Sequence, residues 1–243
     1  KRKPWTRFER ERPNELWQVD FKGEFALNNK SYCYPLTLLD DHSRFSLGIL
    51  ACGNQTRQTV QSHFRNVFAI YGLPHAIYVD NGNPWGGSHL MRHTRFTAWL
   101  MRHDVEVIHG RPHHPQGRGK LERFHRTLKL EALQDRDVYN LERPHGALDL
   151  ETPSQRYQIS ERRFQEKTDP FEYSDRYQTR RVNRVGQFRW KGKTYRISEA
   201  FQDHPIGLSG TQTDGVWDVS CCRFVVAQID ERTGEIRRHQ PRG

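Results

Sequence analysis

LWQVDFKGEFALNNKSYCYPLTLLDDHSRFSLGILAC, residues 16–52, decides the reading of the fold. LWQVDF (16–21) alternates apolar and polar residues and predicts a strand. YCYPLTLLD (32–40), after the Asn28–Asn29 turn, predicts a second strand, and FSLGILAC (45–52), after Asp41–Arg44, a third. Together they predict an antiparallel meander. Asn54 or Thr56 then stands where a helix cap belongs, with Val60, Phe64, Val67, Phe68 and Tyr71 on one helical stripe and Gly72 and Pro74 at its end. AIYVD (76–80) is short and nearly all apolar, which predicts a strand buried on both faces.

Outward from there, Thr94–Arg102 predicts a helix and VEVIH (105–109) a strand. RPHHPQGRG (111–119) is too rich in Pro and Gly to be regular, and a further helix runs from about Gly119 to Glu131. The order of three strands, helix, strand, helix, strand, helix predicts an α/β core with a mixed sheet, the meander extending a parallel set. ERPHGALDLETPSQRY (142–157) reads as a loop with a short helix near Pro153, followed by a basic, weakly patterned stretch to Arg181. After it the pattern is all β. FRW and TYRI flank a Lys191–Gly192 hairpin turn, Asp214–Gly215 leads into VWDVSC, and FVVAQID ends at Thr233–Gly234. These strands predict a small β-barrel or a curled sheet of five or so strands. The division expected is a basic arm over 1–14, an α/β core over 15–160, a basic linker over 161–180 and a small β domain over 181–243.

The 243 residues carry 39 Lys and Arg against 29 Asp and Glu, a formal charge of +10, which favours a polyanionic partner. Stretch 162–196 alone has eleven Lys or Arg against four acids, a net +7, and is expected along DNA. Cys33, Cys52, Cys221 and Cys222 form no C-x-x-C pair, so they read as reduced thiols and not as a zinc site. No apolar run approaches the roughly 18–20 residues of a membrane span, and the first twelve residues hold no hydrophobic signal region. A cytoplasmic protein without membrane partners is expected, and the opening without Met reads as a piece of a longer chain.

Three carboxylates fall where chemistry is made. Asp20 sits inside a strand, Asp80 closes the buried AIYV strand just before an Asn-Gly turn, and Glu122 begins a helix after the irregular loop. Each alone could be a cap or a surface acid. If the first strand and AIYVD are neighbours, the three converge, and acids brought together need cations. Oxygen ligands with no His or Cys at metal spacing point to Mg²⁺, with Mn²⁺ able to substitute. Two such ions ~3.5–4 Å apart activate an attacking oxygen and stabilise a leaving one at a phosphodiester. On the helix, His125, Arg126 and Lys129 share the side of Glu122, whereas Glu131 lies about 180° round. Residues 111–130 hold six Lys or Arg against that one acid.

WQVDF, LLDDHSR, YVDNGNPWG and RPHHPQGRGKLERFHRTLK resemble the integrase core of bacterial insertion-sequence transposases, relatives of retroviral integrases with an RNase H-like fold. YNLERPHGALDLETPSQRY resembles the segment that closes that core, and KGKTYRI with DGVWDV the small β domain, SH3-like, that follows it. The resemblance implies that Asp20, Asp80 and Glu122 are the metal ligands, and that Gln116 and Lys120 beside the flexible His114–Gly119 loop contact DNA. With them, His114, Arg118, Arg123, Arg126, Lys129, Arg180, Arg181 and Arg184 are expected as DNA contacts, and Asp40 and Asp41 as turn formers. It implies cleavage by water at the ends of an element, then in-line attack of the freed 3′-OH on target DNA, with no covalent protein intermediate. A homo-oligomer bridging two double-stranded ends is expected.

Two departures stand out. The helix-turn-helix domains that read element ends in this family are not in the sequence. Ala132–Val138 is also shorter than the family's helical stretch there, so residues are expected to be missing between about 131 and 139. Two other readings compete. An RNase H-type hydrolase places another acid on the first helix, and Gln55–Tyr71 has none. A catalytically inactive, transposase-derived DNA-binding regulator is the alternative, against which the intact triad speaks.

Overall fold

The structure, a computed structural model, describes residues 9–86, 93–110, 119–130 and 136–238. They gather into two compact units, Lys1–Asn81 with Val107–Glu166, and Gly82–Glu106 with Lys167–Gly243.

The first unit is built on a six-stranded mixed sheet. Its strands are β1 (Leu16–Phe21), β2 (Phe25–Ala26), β3 (Tyr32–Asp40), β4 (Ser46–Cys52), β5 (Ala76–Val79) and β6 (Glu106–His109). β3 pairs antiparallel with β1, Gln18 opposite Leu39 and Asp20 opposite Thr37, and antiparallel with β4, Leu36 opposite Leu50. β5 runs parallel to β1, with Gln18 beside Tyr78, and β6 lies beyond it. The order is β4-β3-β1-β5-β6, and the short β2 pairs Tyr32 and Cys33 of β3. Meander and parallel set are both as the alternation foretold. β2 was not foreseen, since two exposed residues carry no period.

Two helices cover the sheet. Between β4 and β5 runs α1 (Arg57–Tyr71), capped by the Thr56 side chain accepting from Thr59 N–H. Asn54 supports that cap by accepting from the Thr56 and Thr59 hydroxyls. Gly72 ends α1 at φ 75°, and a Cβ there would meet the carbonyls of Ser160 and Arg162 at 2.8 Å, so only glycine fits. The expected stripe is buried, with Phe68 5.8 Å from the ring of Trp17 and 5.4 Å from Phe64. Pleating turns Trp17 and Gln18 to opposite faces, so α3 (Gly119–Leu130), whose Leu121 and Phe124 pack on Leu39, the partner of Gln18, takes the other face.

Of the remaining helices only α2 (Arg95–Arg102) lies in the second unit, and α4 (Pro153–Arg156) belongs with α3 to the first. A reciprocal Thr94–Thr97 capping box starts α2, and its Ala98 and Met101 share a core with Val182, Phe188, Trp190, Phe201, Ile206 and Val219. Its strands are β7 (Gln178–Arg181), β8 (Gln187–Trp190), β9 (Lys193–Arg196), β10 (Pro205–Gly210), β11 (Val216–Cys221), β12 (Phe224–Asp230) and β13 (Glu235–Arg238). Five of them form an antiparallel sheet in the order β13-β12-β11-β10-β7. β8 and β9 form a hairpin that turns at Lys191 (φ 42°) and Gly192 (φ 79°).

Of the barrel and the five-stranded sheet expected here it is the sheet that forms: among the described residues it is open, with β7 and β13 at its edges, and no barrel closes. The hairpin gives that core the side chains of Phe188, Trp190 and Tyr195, while its backbone pairs with itself. β7 falls at the end of the stretch read as unpatterned, because all four of its residues are exposed. Among the described residues no helix is long and apolar enough to cross a membrane.

Candidate active site

Asp20 and Asp80 come together through strand register. Carrying the parallel pairing of Gln18 with Tyr78 on by two residues brings Asp20 level with Asp80, and the pleat puts both on one face. Neighbouring strands stand ~4.8 Å apart, so the two half-buried acids occupy adjacent backbone positions. The turn that carries Asp80 is pinned to the end of β6. Gly110 N–H donates to Val79 O (2.9 Å), Asn81 Nδ2 to Gly110 O (2.9 Å), and His109 Nδ1 to Asp80 O (3.0 Å). A Cβ at Gly110 would come within 2.8 Å of the Tyr78 hydroxyl, so glycine lets the loop close on β5.

Glu122 is exposed in the first turn of α3. Three residues on, His125 Nε2 stands 2.7 Å from Thr37 Oγ1, and the Thr37 hydroxyl donates to the carbonyl of Asp20 (3.0 Å). With its single proton committed there, Thr37 accepts from His125, whose Nε2 therefore carries a hydrogen. Burial, helped by the charge of Lys22, pushes His125 down to about 4, so it is neutral near pH 7.

Two residues before Glu122, Lys120 Nζ donates to Asp41 Oδ2 (2.7 Å) and to its carbonyl (3.1 Å). Asp41 is fully buried and also accepts from Gln18 Nε2 (2.7 Å) and Arg10 N–H (3.0 Å). Burial lowers the affinity of Lys120 for its proton, and Asp41 opposes that.

Lys120, expected at DNA, is thus engaged by Asp41 within its own unit. Asp40 does form its turn, accepting from Ser43 N–H (2.8 Å) and hydroxyl (2.6 Å), and it also takes Asn14 N–H (2.8 Å). Burial raises its pKa. Asp41 goes beyond the turn former expected. It ties α3 to β1, and no spacing in the sequence links positions 41 and 120. Thr37 and His125 were likewise not foreseen as a pair, although His125 was placed beside Glu122.

Arg123 and Arg126 are exposed on α3, and Arg180, Arg181 and Arg184 are exposed in the second unit, the Arg180 guanidinium 5.1 Å from the centre of the Trp190 ring. His114, Gln116 and Arg118 lie outside the described residues, as does the side chain of Lys129. The expected gap near 131–139 also falls largely on residues outside them.

A carboxylate pair on adjacent strands suits a hard divalent cation in donor chemistry. Among the described residues no three His, Cys, Asp or Glu stand close enough together to hold a metal ion, so Glu122 does not close a ligand set with the pair in this arrangement.

Residues 10–115 match the model of the integrase core domain, and residues 177–237 that of the IS481 family transposase C-terminal domain. The Gag-Pro-Pol polyprotein of Mason-Pfizer monkey virus is 32% identical over 117 residues, which are 48% of this chain and 6% of that polyprotein. That of sheep pulmonary adenomatosis virus is 29% identical over 140 residues, 56% of this chain and 8% of the polyprotein. The chain thus spans only a small part of the curated relatives it matches. A chain from the simian T-cell lymphotropic virus intasome in complex with PP2A regulatory subunit B56 gamma aligns over 97% of this chain and 82% of its own length, at 16% identity and a TM-score of 0.52. That likeness shows the fold. The chain thus carries a stretch similar to the integrase core domain at one end and a stretch similar to the IS481 family transposase C-terminal domain at the other.

Proposed function

We propose that this protein is a DNA transposase that cleaves at the ends of its element and joins the freed 3′-OH to target DNA. The observation that carries the proposal is the parallel register of β1 and β5, which sets Asp20 and Asp80 side by side on the face that α3 covers. Asp20, Asp80 and Glu122 would hold Mg²⁺, or Mn²⁺ in its place, as two ions. When bound, such ions supply charge neutralisation at the scissile phosphate and activation of the attacking oxygen.

The residues of the chain do the positioning. Asp20 and Asp80 fix where the reacting phosphodiester sits relative to the sheet, and exposed Arg123 and Arg126 on α3 offer guanidinium forks to flanking phosphates. In the second unit Arg180, Arg181 and Arg184 supply a further basic surface for the duplex. The domain division proposed is a basic arm over 1–14, a catalytic core over 15–160, a linker over 161–180 and a β domain over 181–243. Double-stranded DNA and further copies of the chain, bridging two ends, are the partners in this reading, and a bacterial cytoplasm is the setting.

The test incubates the full-length protein with DNA bearing the terminal repeats that flank its gene, with plasmid target and with Mg²⁺ or EDTA. Metal-dependent joining that Asp20→Asn, Asp80→Asn and Glu122→Gln each abolish, with end binding retained, is the expected outcome. End binding without cleavage or joining in Mg²⁺, or in Mn²⁺ put in its place, would instead mark an inactive DNA-binding regulator.

A further inference from the structure

Strand register fixes Asp20 and Asp80, but nothing in the sheet fixes Glu122, which rides on a helix. Resting on the reading of Glu122 as the third ligand, we propose that two polar clamps set the placement of α3: Lys120 on Asp41, and His125 on Thr37. These four are positioning residues for Glu122, and Lys120 serves the helix and not the DNA.

The helix geometry supports this. At about 100° per residue, Lys120, Leu121, Phe124 and His125 span an arc of about 140° toward the sheet. Leu121 and Phe124 contribute apolar contact, which is non-directional and resists rotation or sliding weakly. The two clamps are directional. They lie two residues before and three after Glu122, about 7.5 Å apart along the axis, so together they determine both rotation and translation.

Both clamps refer α3 to β1, the strand that supplies the first carboxylate. Thr37 bonds the carbonyl of Asp20 itself. Asp41 accepts from Gln18, two residues earlier, and donates its own N–H to Leu16 O (2.9 Å). The helix is therefore keyed to the strand that carries Asp20. Mg²⁺ demands near-octahedral geometry, so a small error at Glu122 weakens its site even when every ligand is present. The clamps also rest on groups withdrawn from solvent: Asp41 is 0% exposed and Thr37 is 0% exposed.

The experiment measures strand transfer by the full-length protein at saturating DNA while Mg²⁺ is varied, for Thr37→Val, Thr37→Ser, Lys120→Met, Lys120→Arg and Glu122→Gln. Melting curves establish that each is folded at the assay temperature, and DNA affinity is measured across salt. Thr37→Val and Lys120→Met should raise the Mg²⁺ needed for half-maximal rate by about tenfold, with DNA affinity and its salt dependence unchanged. Thr37→Ser and Lys120→Arg, which restore the hydroxyl and the cation, should recover most of that loss. An unchanged Mg²⁺ requirement in both, with Glu122→Gln inactive, overturns the clamps and leaves the triad standing. Near-normal transfer by Glu122→Gln removes the triad reading itself. A Lys120→Met variant that loses DNA affinity and salt dependence, at an unchanged Mg²⁺ requirement, makes Lys120 a phosphate contact and overturns its role here.

Discussion

The two long helices of the first unit are attached to one sheet by opposite means. α1 presents Val60, Phe64, Val67, Phe68 and Tyr71 and is held by apolar area and ring contacts. α3 has Leu121 and Phe124 in its core contact and is held besides by an ion pair and a hydroxyl bridge. Apolar area tolerates small shifts, since its energy changes gradually with position. Hydrogen bonds weaken steeply once their angle or distance is lost. The helix that builds the fold is thus fastened by bulk, and the helix that carries Glu122 by direction.

The largest expected effect breaks the α1 side. Phe68→Ala empties a fully buried site against Trp17 and Phe64, and should cost about 3–5 kcal/mol of stability in denaturant melts. The folded fraction should keep its Mg²⁺ requirement, because α3 does not rest on Phe68. Next comes Lys120→Met, which leaves Asp41 buried with Gln18 and the Arg10 N–H as its remaining partners. Losing one partner of a buried pair costs up to about 3–5 kcal/mol, and those two donors should hold the loss to about 2–3 kcal/mol. A loss as large as that of Phe68→Ala, with catalysis intact, would show that both helices are fastened for stability alone. Thr37→Val is smaller still, about 1–2 kcal/mol for the two hydrogen bonds of the hydroxyl, yet its effect on transfer should exceed that of Phe68→Ala per folded molecule.

The same contrast decides what could be read in the sequence. α1 announced itself because a 3.6-residue period and a cap are local, and β1, β3 and β5 because alternation and apolar runs are local too. Asp20 and Asp80 were visible as acids where strands do not favour them. Their adjacency was not visible, since it depends on whether β1 and β5 pair and in which register. The clamps of α3 were hidden for a stronger reason: Lys120 meets Asp41 across 79 positions and His125 meets Thr37 across 88, and neither residue type breaks a local rule. β7 was hidden because an exposed edge strand borrows its order from β10 and shows no period of its own. Barrel and open sheet stayed undivided because strand count and turn spacing do not tell whether a hairpin gives the sheet its backbone or only its side chains.

The smallest expected effect tests the edge of the α3 cluster by pH. Tyr139 packs edge-on against Phe124 at 4.9 Å and against His145 at 4.8 Å, so His145 closes the cluster that α3 enters. Burial, with the charges of Arg143 and Arg44, pushes His145 down to about 4, and its Nε2 finds no partner among the described residues. Between about 6.5 and about 4 the unfolded chain binds a proton that the folded chain refuses. Stability contributed by neutral His145 is therefore full above that window and is lost as pH falls through it. His145→Phe keeps a ring against Tyr139 and removes the titration. Denaturant midpoints at pH 7.5, 6 and 5 should fall less steeply for this variant than for the parent, with His125 keeping its own share of the slope. Parallel pH profiles for the two proteins would mean that Tyr139 and Phe124 hold this edge of α3 without regard to charge, and that direction matters only at the two clamps.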